Sequence, residues 1–157
     1  MHYWLIRAGE RGKFSNDFVG NNIIAIGWSE LGDLARIDSR ADLKKRFRKK
    51  CRGASNAEVG KLWTFFSEMR KGDIVLTPNP LTRTIHIGKI KTDYLYKTQA
   101  LGHMNFRHRR KVVWEKEVSR DVFSKDMKHC LGALQALFSV DKYDSLVKSR
   151  GLTGRGA

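Results

Sequence analysis

The sequence predicts an α+β domain: a small curved sheet of about five to six strands closing toward a barrel, with helices flanking it. Three observations lead there. Short apolar runs of strand length recur along the chain. Two central segments instead carry apolar residues at helical spacing, each behind a capping signal. Hydrophobic residues make up 41% of the 157, enough to fill one core of ordinary size.

Residues 3–7, with Tyr3, Trp4, Leu5 and Ile6, read as a first strand. Gly9, Gly12, Ser15 and Asn16 then mark a loop. The uniformly apolar run at 23–27 reads as a strand buried on both faces. Residues 31–37, around Gly32, form a loop or turn. Ser39 with Asp42, and Ser55 with Glu58, resemble capping boxes. The first opens a helix to about Lys50 with Leu43 and Phe47 inward. The second opens a helix whose apolar stripe is Val59, Leu62, Trp63, Phe66 and Met69, ending at Arg70, Lys71 and Gly72. The period then changes. Residues 74–77 form a strand ended by Pro78, Asn79 and Pro80, and 84–90 alternate as its partner. A long connection at 91–106 precedes a strand at 111–118, which puts Val112 and Trp114 on one face and Val113 on the other. Residues 119–130 are partly helical, 131–138 form a last apolar element, and Asp141 caps a short helix ending before Gly151. The domain is therefore expected over 1–150, with 151–157 a flexible tail or the start of a linker.

Lysine and arginine number 31 against 16 acidic residues, a formal charge of +15. That imbalance raises attraction to polyanions. A membrane is a poor partner, because the chain has no spanning apolar run and no basic helix with a wide apolar face. The start lacks the layout of a signal peptide. Cys51 and Cys130 lie far apart and neither belongs to a Cys-x-x-Cys pair, so reduced thiols and a cytoplasmic protein are expected.

Trp28 stands just past the end of the 23–27 strand, where an indole can line a pocket; the alternative is a core tryptophan. Trp63, Phe66 and Trp4 read as core. Tyr94, Tyr96 and Phe106 lie in loops or at strand ends, where a base can be stacked. Between Arg40 and Arg52 stand eight basic residues, Lys44, Lys45 and Arg48 among them, opposed only by Asp42. They form a face for phosphate contact or an ordinary solvated surface, although an ordinary surface mixes signs. A second cluster, Arg107, His108, Arg109, Arg110 and Lys111, enters a strand, where alternate residues face opposite sides. One set would follow a nucleic-acid backbone while the other faces a pocket; the alternative is edge protection. Catalytic patterns are poor. None of the five histidines has a partner at metal-ligand spacing, so no metal and no cofactor are expected. The chain also lacks a Gly-rich phosphate loop and a nuclease-type carboxylate–lysine strand.

The segments 3–9, 24–34, 69–77, 87–90, 108–114 and 131–138 together resemble the PUA-like superfamily, in particular its EVE and YTH branches. The version most similar is found at the N-terminus of modification-dependent restriction proteins. Gly27-Trp28-Ser29-Glu30 is the strongest part of the match. The resemblance implies a small curved barrel that holds a modified base, methylated adenine or modified cytosine, in an aromatic cage. It implies that Trp28 is one cage wall and that Ser29 offers its backbone N–H to the base. Tyr94, Met104 or Phe106 supplies the second wall, Arg7 lies near the nucleic-acid backbone, and Asp141 lies near an acidic base-contacting position. The sequence departs from the YTH branch at Ala8 and Gly9, where polar base contacts stand in that branch.

The leading expectation is thus a non-catalytic reader of modified double-stranded DNA, with Arg7, Lys44, Lys45, Arg48, Arg107, His108, Arg109 and Arg110 on the backbone. An effector domain or partner chain would follow. The alternatives are an RNA-binding module of the same fold, and a small enzyme using His108 and Asp141 as acid and base.

Overall fold

The computed structural model describes residues 1–51, 53–131 and 136–141. Arg52, part of the expected 131–138 element, the helix expected from Asp141 and the tail at 151–157 lie outside these residues, Asp141 itself excepted.

The fold is α+β, a curled seven-stranded half-barrel with helices around it. The strands are β1 (Tyr3–Ile6), β2 (Ile23–Ile26), β3 (Ile74–Asn79), β4 (Thr84–Ile90), β5 (Leu95–Tyr96), β6 (His108–Ser119) and β7 (Leu137–Ser139). The helices are α1 (Ser15–Asn21), α2 (Arg40–Lys50), α3 (Asn56–Trp63) and α4 (Lys125–Leu131). The sheet order is β2-β6-β4-β3-β1-β7, with β5 also on β6. Strand β6 makes the curl possible. Residues 108–111 pair with β2, His108 and Arg109 also with β5, and Val112 onward with β4. Within the β4–β6 ladder a β-bulge stands beside Gly88. A Cβ at Gly88 would lie 2.7 Å from the Val113 carbonyl and 2.8 Å from the Trp114 ring, so only glycine lets β6 cross here.

Strict alternation along β1 and β3 divides the apolar residues between two cores. Trp4, Ile6 and Val75 face the larger one, which β2 and α1–α3 complete with Phe18, Ile24, Leu43, Phe47, Leu62 and Phe65. Tyr3, Leu5, Ile74 and Leu76 face the smaller one, closed by Phe123 and by Met127 of α4. Parallel pairing of β1 with β3 needs a long crossover, which α1, β2, α2 and α3 provide.

Both capping signals act as the sequence implies. Ser39 Oγ accepts from the Asp42 N–H, and Ser55 with Glu58 forms the full reciprocal box. Beyond Trp63 the backbone widens into a π-helical turn, Thr64–Glu68, which carries the last part of the predicted stripe. Four expectations are corrected. The 9–16 loop ends in helix α1, held by buried Phe18. The connection at 91–106 contains β5. Strand β6 begins three residues earlier than expected, at His108, and β3 runs through Pro78 to Asn79. Among the described residues no helix is long and apolar enough to cross a membrane.

Candidate functional site

The strand β2 stops at Ile26, and two residues later the chain turns sharply. Trp28 adopts left-handed φ and ψ of 67° and 39°. That conformation costs a bulky residue roughly 1–3 kcal/mol and persists only where surroundings impose it. Here its carbonyl accepts from the Leu31 N–H, opening a 3-10 turn over Ser29–Leu31, and from His108 Nε2 at 2.9 Å. Because a carbonyl can only accept, Nε2 carries the proton and Nδ1 is bare. Tyr94 donates its hydroxyl hydrogen to that Nδ1 at 2.7 Å, and its oxygen accepts from the Leu34 N–H. The chain of donors is complete. Burial pushes the His108 pKa down and the Tyr94 pKa up, so both stay neutral and the relay keeps one polarity.

The turn projects Trp28 beside a cavity of about 420 Å³. Ala25, Ile26 and Gly27 line it on the β2 side, Arg7, Gly9, Glu10 and Arg11 on the side of the loop after β1, and Phe106 and Ala136 complete it. The aromatic walls are braced from behind. Trp28 meets Phe47 of α2 edge-on at 6.0 Å, and Phe106 meets Phe14 edge-on at 5.3 Å. The loop after β1 is equally determined. Gly9, Arg11 and Gly12 have φ of 75°, 54° and 72°, and a Cβ at Gly12 would lie 2.8 Å from the Pro80 ring. Burial, and then the charge of Arg120, lower the Arg7 pKa, though a guanidinium so shifted stays cationic at neutral pH. Trp28 and Phe106 also border a second cavity of about 430 Å³, with Ser29, Glu30, Thr98, Asn105 and Arg107. An apolar floor, two aromatic walls and two guanidinium groups suit a flat, partly apolar ligand that carries or adjoins negative charge.

The structure therefore brings Trp28, Phe106 and Arg7 to one cavity, with Ser29 and Arg107 at the adjoining one. Ser29 Oγ accepts from the Arg107 N–H at 3.1 Å, which pins the two loops together. Other expected residues are elsewhere, for identifiable reasons. Tyr94 is not a cage wall; its ring packs on Phe66 at 4.9 Å and its hydroxyl serves the relay under Trp28. Met104 is wholly buried, and its sulfur accepts from the Phe106 N–H, so it holds the wall rather than forming it. Asp141 lies at the opposite end of β1, where it accepts from the Tyr3 N–H and contacts His2 at 2.6 Å. It cannot touch a base in this cavity, nor act as an acid–base partner to buried His108.

The 108–110 triplet is corrected as a backbone-binding set. All three side chains are buried. Arg110 donates to the carbonyls of Phe65 and Phe66, which the end of the π-helical turn leaves open, and to that of Thr92 beyond β4. Arg109 donates to the carbonyls of Phe106 and Gln99. On α2, by contrast, Lys45 and Arg48 are exposed and Lys44 is half-buried. Arg46 donates to the carbonyls of Leu31 and Asp33, which seats α2 against the Trp28 turn. Glu10 and Arg11 were not expected at the site. The available signal was the Gly9–Gly12 spacing directly after a strand, which marks a tight turn at a strand end.

No curated protein matches the chain. Among solved structures it is similar to the NMR structure of Rpa0253 from Rhodopseudomonas palustris, a structural genomics target, with 18% identity over 96% of this chain and 93% of that one and a TM-score of 0.46. The model of a domain of unknown function, DUF8426, matches residues 4–137. That span runs from within β1 to the start of β7 and covers most of the chain, which therefore belongs to the DUF8426 family.

Proposed function

We propose that this chain is a non-catalytic reader of modified DNA, related to the PUA-like EVE and YTH domains. It extrudes one modified base, a methylated adenine or modified cytosine, from the duplex into the cavity between Trp28 and Phe106. It would direct a restriction or defence effector carried on another domain or chain. The observation that carries the reading is the cavity itself: two braced aromatic walls and two arginines at a strand end, in a chain of charge +15.

The energetics are consistent with this. Extrusion costs a few kcal/mol. Stacking on an aromatic face returns about 1–3 kcal/mol, and phosphate contacts supply the remainder in a salt-dependent way. A methyl group against the indole adds on the order of 1 kcal/mol. Exposed cations placed to meet phosphate include Arg11 and Arg107 at the two cavities and Lys45 and Arg48 on α2.

The test is binding to matched duplexes that are unmodified or carry N6-methyladenine, 5-methylcytosine or 5-hydroxymethylcytosine, at two salt concentrations, with Trp28→Ala in parallel. One modified duplex should bind more tightly, and Trp28→Ala should erase that preference while leaving the salt dependence in place. An RNA duplex of the same sequence competes in the same assay. If it displaces DNA at equal or lower concentration, the module reads RNA through its 2′-hydroxyls instead. Equal binding of all duplexes by both proteins would reduce the domain to a general polyanion binder.

A further inference from the structure

We propose that Glu10 makes the cavity selective for bases with an amine at C4 of a pyrimidine or C6 of a purine, cytosine derivatives above all. This rests on the reading of the cavity as a base pocket. Among the described residues that line it, Glu10 brings the one carboxylate; the other charged side chains are Arg7 and Arg11, and the rest are apolar, aromatic or glycine. Glu10 is exposed, so water solvates its carboxylate until a ligand brings a donor to it. None of the ion pairs or side-chain hydrogen bonds among the described residues engages the Glu10 carboxylate. Two arginines line the same cavity, and neither forms an ion pair with it.

The backbone that presents Glu10 is fixed. It stands between Gly9 and Arg11, in the turn that Gly12 packs against Pro80, and its carbonyl accepts from the Lys13 N–H. The carboxylate is thus carried on a determined turn rather than a loose loop. Its chemistry narrows the ligand. An ionised carboxylate only accepts hydrogen bonds. The cytosine N4 amine donates to Glu or Asp side chains, whereas thymine and uracil present a carbonyl oxygen at the same place and are repelled. N6-methyladenine keeps one amine hydrogen and remains within the class. The exposed guanidinium of Arg11 suits acceptors of the ligand, a base carbonyl or the flanking phosphates.

The test compares 5-methylcytosine with thymine, which share the 5-methyl group and differ chiefly in amine against carbonyl at C4. Each is placed opposite an abasic site in the same duplex, so neither loses a base pair on extrusion. Binding is measured for the parent protein, Glu10→Ala, Glu10→Gln and Trp28→Ala. The parent should bind the 5-methylcytosine duplex about tenfold more tightly. Glu10→Ala should bring the ratio near one, and Glu10→Gln, which both donates and accepts, should also reduce it. A ratio near one in the parent, or a ratio untouched in both Glu10 variants, overturns the assignment. If the ratio survives in the Glu10 variants while Trp28→Ala still weakens every duplex, only the role of Glu10 falls. If Trp28→Ala changes nothing, the pocket reading falls with it.

Discussion

Two basic runs of similar composition end in opposite places. On α2, Lys45, Arg48, Lys49 and Lys50 face solvent while Leu43 and Phe47 fill the core. At the start of β6, His108, Arg109 and Arg110 are all buried, although their neighbours in sequence, Arg107 and Lys111, are exposed. Charge alone does not decide the outcome. A helix with a 3.6-residue period can bury one stripe and leave its cations in water. Over residues 108–110 both faces of β6 are covered, so its cations there must find acceptors indoors. The guanidinium fork suits that role, since five donors in a plane can satisfy several carbonyls at once. The difference separates arginines that hold the site in shape from cations free to meet a polyanion.

The sharpest way to break this contrast is Arg110→Ala. Three carbonyls lose their donor in a buried place, and each such loss costs roughly 1–3 kcal/mol. We expect about 3–5 kcal/mol of lost stability and a fall in Tm on the order of 10 °C, read by thermal or urea unfolding. Burial already lowers the Arg110 pKa to about 10, so the group is cationic throughout the neutral range. Arg110→Lys should recover only part of the loss, because one ammonium cannot span the same three oxygens. If Arg110→Ala is as stable as the parent and instead loses affinity for DNA, the two runs do the same job and the contrast fails.

His108 gives an intermediate effect with a pH signature. Its folded pKa lies below the ordinary value of about 6.5, because burial disfavours the imidazolium. Between the folded and unfolded values the unfolded chain therefore binds more protons. Its contribution to stability is complete above about pH 6.5 and is lost as pH falls toward the folded value. His86, lowered by burial against a smaller opposing effect of Glu117, acts in the same direction. Lowering the pH from 7 to 5 should thus destabilise the parent. His108→Gln should flatten that dependence in part, leaving the His86 share, and should cost roughly 1–3 kcal/mol at pH 7 through the broken relay. Because Nε2 of His108 holds the Trp28 carbonyl, the same variant should weaken any preference that depends on Trp28. An unchanged pH profile would mean that His108 is solvated.

Much of the frame was legible in the chain. Ser39 and Ser55 announced α2 and α3, and the uniform apolarity of residues 23–26 announced a doubly buried strand. Trp28 was legible because a strand that ends abruptly leaves its next large side chain at the sheet's rim. Other features were hidden by competing local signals. The Gly9 and Gly12 turn masked the start of α1 and, with it, the placement of Glu10 and Arg11. A run of five basic residues at 107–111 read as a backbone-following or edge-protecting set entering a strand, because the partners of Arg109 and Arg110, the carbonyls of Phe65, Phe66, Thr92, Gln99 and Phe106, belong to backbone that no side-chain pattern reveals. Choosing among Tyr94, Met104 and Phe106 required the register of β5 on β6, which turns Tyr94 under the site and leaves Phe106 on its rim.

The smallest effect on stability, and the complement to Arg110→Ala, belongs to α2. Lys45→Ala and Arg48→Ala should each change stability by no more than about 0.5 kcal/mol, since neither side chain is buried. On DNA their effect should be electrostatic and uniform. Each lost phosphate contact lowers the slope of log affinity against log salt by about 0.9, for modified and unmodified duplexes alike. The ratio between those duplexes should stay where the parent has it, because the α2 cations line neither cavity bordered by Trp28. A changed slope with a fixed ratio would assign α2 to the backbone and leave discrimination to the cavity. A changed ratio would place α2 against the base, and a slope that stays constant would remove α2 from the interface altogether. In that last case the attraction would come from cations outside α2, Arg11 and Arg107 at the two cavities among them, and Lys45 and Arg48 would be surface charge and nothing more.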